Sequence, residues 1–277
     1  MNLENILQEI ERVDPEFQDR ISPRRRAIKN MTGFGKKLAL SALPLAMGSL
    51  FTRAYGQTQP TAINDILNFA LTLEYLEAEF YTKGVTAYAT TLAGTPAIGA
   101  LTVIRDDENH HVTFLKGALN TAAVAKPTFD FTAKGTFPDP FNSANYDVFL
   151  ALAQAFEDTG VRAYKGQAPY LMSNRTVLGA ALNIHSVEAR HASHIRQMRK
   201  ARGANLKPWI TGKDLGGIPA AAQAVYNGEE TDMQATVKIT GISADGVTIS
   251  SNAATEAFDE PLTYSEALNI AKLFIVA

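Results

Sequence analysis

The 277-residue chain predicts an all-α fold: a four-helix bundle with one long crossover, followed by a C-terminal extension holding a small β-hairpin and a short final helix. Three observations lead there. Between Pro60 and Gly203, apolar residues recur at i, i+3, i+4 and i+7 through four stretches, each long enough for a helix. Short breaks join the first stretch to the second and the third to the fourth. A long segment from Lys126 to Asn142, with Pro127, Gly135, Pro138 and Pro140, separates the two pairs. After Gly203 the helical pattern gives way to short runs of alternating polarity.

The first 56 residues read as an address rather than as part of the fold. A polar, acidic stretch to Asp19 precedes Arg24-Arg25-Arg26 and Lys36-Lys37, and an apolar run from Leu38 to Phe51 follows. That run contains Pro44 and Gly48 and falls short of the roughly 20 apolar residues a membrane span needs. Basic region, apolar region and the small-x-small site Ala54-Tyr55-Gly56 form the layout of an export signal cleaved after Gly56. The arginines resemble a twin-arginine signal with Ala27 in place of the usual bulky residue. The expected location is therefore the periplasm, with membrane association if the leader stays attached and no permanent membrane span.

Residues 57–203 form the bundle in this reading. The first helix covers about 61–88, with Leu67, Ala70, Leu71, Glu74, Ala78 and Tyr81 on one stripe. Pro96 suits the first turn of a second helix over about 96–120, where Leu101, Ile104, Glu108, His111 and Leu115 share a face. A third helix, about 143–170, starts at an Asn142 or Ser143 cap. A fourth, about 173–202, starts at a Ser173 cap and stops at Gly203. In the extension, 204–277, Val237 and Ile239 alternate with polar residues on one side of Asp245-Gly246, and Val247 and Ile249 do so on the other, which predicts the hairpin. Thr263-x-x-Glu266 is a capping box ahead of the last helix. Without chemistry of its own, the extension is expected to serve packing or assembly.

Composition narrows the chemistry. Twenty-six basic against 28 acidic side chains give a net charge of -2, which argues against a nucleic-acid partner. There is no cysteine, so disulfides, thiolate-bound zinc, iron–sulfur clusters and thiol nucleophiles are excluded. Any metal must be held by His, Asp and Glu.

Glu108 to His111 and Glu188 to His191 each spell Glu-x-x-His, which on a helix presents a carboxylate and an imidazole one turn apart on one face. The other two helices each carry a glutamate with a tyrosine seven residues on: Glu74 with Tyr81, and Glu157 with Tyr164. The chain thus repeats itself, Glu-x6-Tyr then Glu-x-x-His, at offsets of 83 and 80 residues. Such a repeat places four carboxylates and two imidazoles around one point in the core. Burying bare carboxylates among leucines costs several kcal/mol each, and two divalent cations would neutralise all four. Oxygen and nitrogen donors without sulfur suit iron or manganese. Arg105, Arg162 and Arg190 share these helices but lie off the ligand face, which disfavours a plain ion-pair network.

This arrangement resembles the di-iron carboxylate motif of the ferritin-like superfamily, in which two helices give one Glu each and two give Glu-x-x-His. Leu67 to Tyr81 and Ala257 to Thr263 are similar to the exported bacterial ferritin-like proteins related to plant desiccation-related proteins. The resemblance implies Glu74, Glu108, His111, Glu157, Glu188 and His191 as metal ligands, with Glu108 and Glu157 as the bridging pair. Glu77, Tyr81, Tyr164, His185 and His194 stand as candidates for the shell around them, and Glu77 also as a rival to Glu74. It further implies two Fe ions as cofactor, with Fe(II) and O2 or hydrogen peroxide as reaction partners in metal or oxidative stress protection, and a small homo-oligomer or an envelope assembly. A manganese catalase-like site with two Mn ions is the first rival, and a non-catalytic scaffold the second.

Overall fold

The structure, a computed structural model, describes residues 62–244 and 246–276. The leader expected at residues 1–56 lies outside the described residues, and among those no helix is long and apolar enough to cross a membrane. Residues 62–231 and 258–276 form one compact unit, and residues 232–257 another.

The first unit is the expected bundle. Helix α1 runs over Ile63–Tyr88, α2 over Pro96–Leu119, α3 over Tyr146–Gln167 and α4 over Arg175–Ala201. Local chemistry sets the ends. Pro96 opens α2, where its missing N–H costs nothing. Asn142 caps a short 3-10 turn, Ser143–Asn145, that leads into α3. The cap of α4 is Asn174 rather than Ser173: its backbone is extended and its side chain accepts from the Val177 N–H at 3.2 Å. Gly203 takes a φ of 96° just past α4, in the left-handed region that stops a helix.

Helix α3 is the central element. Every residue from Phe149 to Tyr164 is buried, because α3 packs on α4 and α1 on one side and on the C-terminal extension on the other. The crossover between α2 and α3 is less irregular than its prolines and glycine predict. Strand β1, Thr128–Phe129, pairs antiparallel with Ile275–Val276 near the C-terminus. Phe129, Phe131 and Phe137 enter the core beside Phe80, which stacks on Phe149 at 4.6 Å. The Tyr88 hydroxyl donates to the Pro140 carbonyl at 2.6 Å and ties the loop to α1.

The parts of the extension that belong to the first unit pack on α1 and α3. Ile210, Ile218, Val225, Tyr226, Leu262 and Ile270 cover Phe69, Leu73, Ala155 and Ala163 of α1 and α3. A buried polar network anchors the first part. Asp158 pairs with Arg196 at 2.6 Å and accepts from Tyr226, while Arg199 donates to Gln154 and to the Gly216 carbonyl. A Cβ at Gly166 would lie 1.9 Å from the Leu262 carbonyl, so only glycine lets the returning chain lie on α3.

In the second unit, Met233–Gln234 (β2) pairs with Val237–Lys238 (β3), and Ser243–Ala244 (β4) with Val247–Thr248 (β5). The single hairpin expected from Val237, Ile239, Val247 and Ile249 is thus two shorter ones. The turn at Ala235 and Thr236, both at positive φ, closes the first before Ile239. A short helix α5, Ser251–Thr255, follows. In the first unit, α6, Tyr264–Lys272, starts at the predicted capping box, and β6 is Ile275–Val276.

Candidate metal centre

Helical periodicity on four helices converges at one place in the bundle. Glu74, Glu108, Glu157 and Glu188 have no solvent exposure, and His111 and His191 are buried beside them. The six fall into two overlapping groups, Glu74 with Glu108, His111 and Glu188, and Glu108 with Glu157, Glu188 and His191. Within each group the donor atoms lie within 4.8 Å of one another. The shared carboxylates are Glu108 and Glu188, not the expected Glu108 and Glu157. Both belong to the Glu-x-x-His helices, whose faces place their carboxylates between the two imidazoles.

The distances have the form of a ligand cage. His111 Nδ1 lies 3.1 Å from Glu74 Oε2 and from Glu108 Oε2, and 3.3 Å from Glu188 Oε1. His191 Nδ1 lies 2.8 Å from Glu108 Oε1 and 3.4 Å from Glu157 Oε2. Yet Glu108 Oε1, Glu157 Oε2, both Glu188 oxygens and His191 Nδ1 make no hydrogen bond of acceptable geometry. Buried polar atoms without partners are costly. His111 Nδ1 is shared between Glu74 and Glu108, but the five unpartnered atoms crowded beside it fit cations placed between them, and the set of carboxylate and imidazole suits iron or manganese.

The two tyrosines act crosswise. Tyr81 of α1 donates to Glu157 of α3 at 2.5 Å, and Tyr164 of α3 donates to Glu74 of α1 at 2.5 Å. The seven-residue spacing therefore marks a hydrogen bond to the other helix of the repeat, not to the glutamate on the same one. Each tyrosine fixes one carboxylate oxygen and leaves the other facing the cage.

Asp107 is a residue that spacing alone did not single out. Its carboxylate meets His191 Nε2 at 3.2 Å, so it turns His191 Nδ1 toward the glutamates. The signal was present as a partly exposed acid beside Glu108, and only the approach of α4 to α2 gives it meaning. His185 and His194 do not join the cage. His185 Nδ1 bonds the Val161 carbonyl at 3.0 Å, and His194 is exposed. Helical rotation explains both, since a step of three residues drifts around the helix away from the face shared by Glu188 and His191. The arginines go elsewhere: Arg105 pairs with Asp106, Arg162 with Glu229, and Arg190 is exposed.

Glu77 is buried but belongs to neither group. It sits one turn beyond Glu74, beside Glu188 and under Gly160. A Cβ on Gly160 would lie 2.6 Å from Glu188 Oε2 and 3.4 Å from Glu77 Oε1, so the missing side chain makes room for two carboxylates.

Electrostatics match five acids in one dry place. Burial raises the Glu77 and Glu188 carboxyls well above the ordinary range, and mutual repulsion adds to it. Burial pushes Glu108 up to about 7. Burial opposes the charged form of His191, but the neighbouring Glu157 and Glu108 carboxylates raise it to about 12. His111 is raised in the same way by Glu108, Glu188 and Glu74. Metal-free protein thus keeps its cage together with protons.

Glu77→Gln should accordingly stabilise the metal-free protein. At pH 7 the folded chain must hold a proton on Glu77 that the unfolded chain releases near 4.5. That uptake costs stability, and Gln removes it. Because the folded-state value is raised, the cost grows as pH rises above 4.5 and vanishes below it. Urea melts at pH 7 and pH 4.5 should show the gain only at pH 7, and an equal effect at both would refute the assignment.

Comparison with known families places the helices. The model of a ferritin-like domain matches residues 63–201, the span of α1 to α4. No curated protein and no solved structure matches the chain.

Proposed function

This chain belongs to the ferritin-like domain family, and on that premise we propose that it is an exported two-metal protein that oxidises Fe(II) with O2 or hydrogen peroxide in protection against metal or oxidative stress. The observation that carries the proposal is the pair of carboxylates, Glu108 and Glu188, common to two donor groups whose atoms lack other partners. Glu74 and His111 would complete one position, and Glu157 and His191 the other. Two iron ions held side by side supply two electrons together, one from each.

The chain's own residues set the conditions. Tyr81 and Tyr164 hold Glu157 and Glu74 in place, and Asp107 orients His191. Peroxide reduced to two waters takes up two protons with two electrons. Glu77, kept protonated by burial next to Glu188, is a buried carboxyl outside the donor groups that can give one. The leucines, alanines and phenylalanines around the cage exclude bulk water. The basic and apolar leader supports export.

Elemental analysis of protein purified from its native compartment tests the reading, followed by addition of Fe(II) and peroxide under argon. Two irons per chain and stoichiometric loss of peroxide are expected. Two manganese ions with dismutation of peroxide would reassign the metal, and no stoichiometric metal would leave a scaffold.

A further inference from the structure

A second site lies along the bundle from the metal cage. Residues from all four helices enclose a cavity of about 230 Å³. Its inner wall is Leu73, Leu115, Tyr164 and Ile184, and its mouth opens between α2 and α4 at Phe114 and Thr176, both exposed. No charged side chain lines it.

One polar group does not fit an inert apolar void. Gln167 lines the cavity and is 4% exposed, yet neither its amide oxygen nor its amide nitrogen has a hydrogen-bond partner. A buried amide left unpaired is costly. A trapped water would need two to four polar partners. The other polar groups of the wall are Thr176 at the mouth and Tyr164, whose hydroxyl is engaged by Glu74.

We propose that this cavity binds a neutral, mostly apolar organic molecule with a single hydroxyl-type head group, which accepts from the Gln167 amide nitrogen and donates to its amide oxygen. Neutrality follows from the walls, since a carboxylate placed there would be buried without a cation. Size follows from volume: an apolar cavity of roughly 150 Å³ takes benzene, so this one suits about nine non-hydrogen atoms. The occupant would lie one side chain from the metal cage, because Tyr164 both walls the cavity and holds Glu74.

The inference rests on the cavity and Gln167, not on metal. Titration calorimetry of the full chain with 1-octanol, n-octane and octanoate tests it, with metal per chain counted in parallel so that loss of metal and loss of binding are told apart. Saturable binding of one octanol per chain is expected, with octanoate at least tenfold weaker at pH 8. Gln167→Leu should weaken octanol about tenfold and leave octane unchanged or tighter. Ala180→Phe, at the half-buried rim, should block both. The proposal is overturned if octanol does not saturate, if octanoate binds as tightly, or if Gln167→Leu alters octanol and octane alike.

Discussion

Glu108→Ala and Glu188→Ala are each expected to remove both metals from the chain, whereas Glu74→Ala and Glu157→Ala should leave one. The contrast follows from sharing: Glu108 and Glu188 contribute to both donor groups, Glu74 to one and Glu157 to the other. A second effect moves the opposite way and identifies its cause. Without metal, each of these carboxyls is a cost to the fold, so Glu108→Ala should raise the melting temperature of the metal-free chain. Wild type should gain about 2.7 kcal/mol from each metal at a hundred times its Kd, and the variant nothing. Metal counts and thermal melts with and without Fe(II) under argon read both. A variant that lost metal and also melted lower without it would instead mark Glu108 as a structural strut.

pH moves the same balance. Metal must displace the protons that the cage carries, and Glu108 releases its own only near pH 7. Affinity should therefore rise through that range.

The parts of this molecule that follow a period were readable in its sequence. The stripes on α1 to α4 placed the four glutamates and two histidines on inward faces, and Glu-x-x-His fixed each pair on one turn. Partnership across helices was not readable, because it depends on crossing distances that no single helix encodes. Tyr81 reaches Glu157 rather than Glu74, and Glu188 rather than Glu157 is shared, for that reason. Asp107 carries no signal on α2 alone and gains its role only where α4 brings His191 to it. The crossover misled in another way. Its Pro127, Pro138 and Pro140 signal a loop, but Phe129, Phe131 and Phe137 make that loop a wall of the core, and its strand finds its partner at the far end of the chain. A two-residue strand carries no alternation to read.

Arg162 is the residue whose loss should destabilise the fold most, although it touches no part of the cage. It is 1% exposed, and its guanidinium donates to the carbonyls of Val225, Asn227 and Glu260 while pairing with Glu229 at 2.7 Å. One side chain of α3 thus gathers both returning stretches of the extension. Glu229, itself buried, bonds the Glu260 N–H at 2.8 Å, and its other oxygen has no partner. Where Glu229 is ionised, above about pH 8, Arg162→Leu strands that carboxylate, and breaking one side of a buried pair typically costs 3–5 kcal/mol. The double variant Arg162→Leu/Glu229→Leu should recover a good part of the loss, since it leaves no unpaired charge, although three carbonyls stay unserved. Acidity offers an independent check. Burial already holds Glu229 up at about 8 against the pull of Arg162. Removing Arg162 raises it further, so the single variant's deficit should stay level below about pH 7, where both folded proteins hold the proton, and grow toward pH 9. Urea unfolding at the two pH values, with limited proteolysis of residues 204–231, reads both effects. A deficit that is the same at both, or a double variant no better than the single, would mean that Arg162 acts through its carbonyl contacts and that the Glu229 charge contributes nothing.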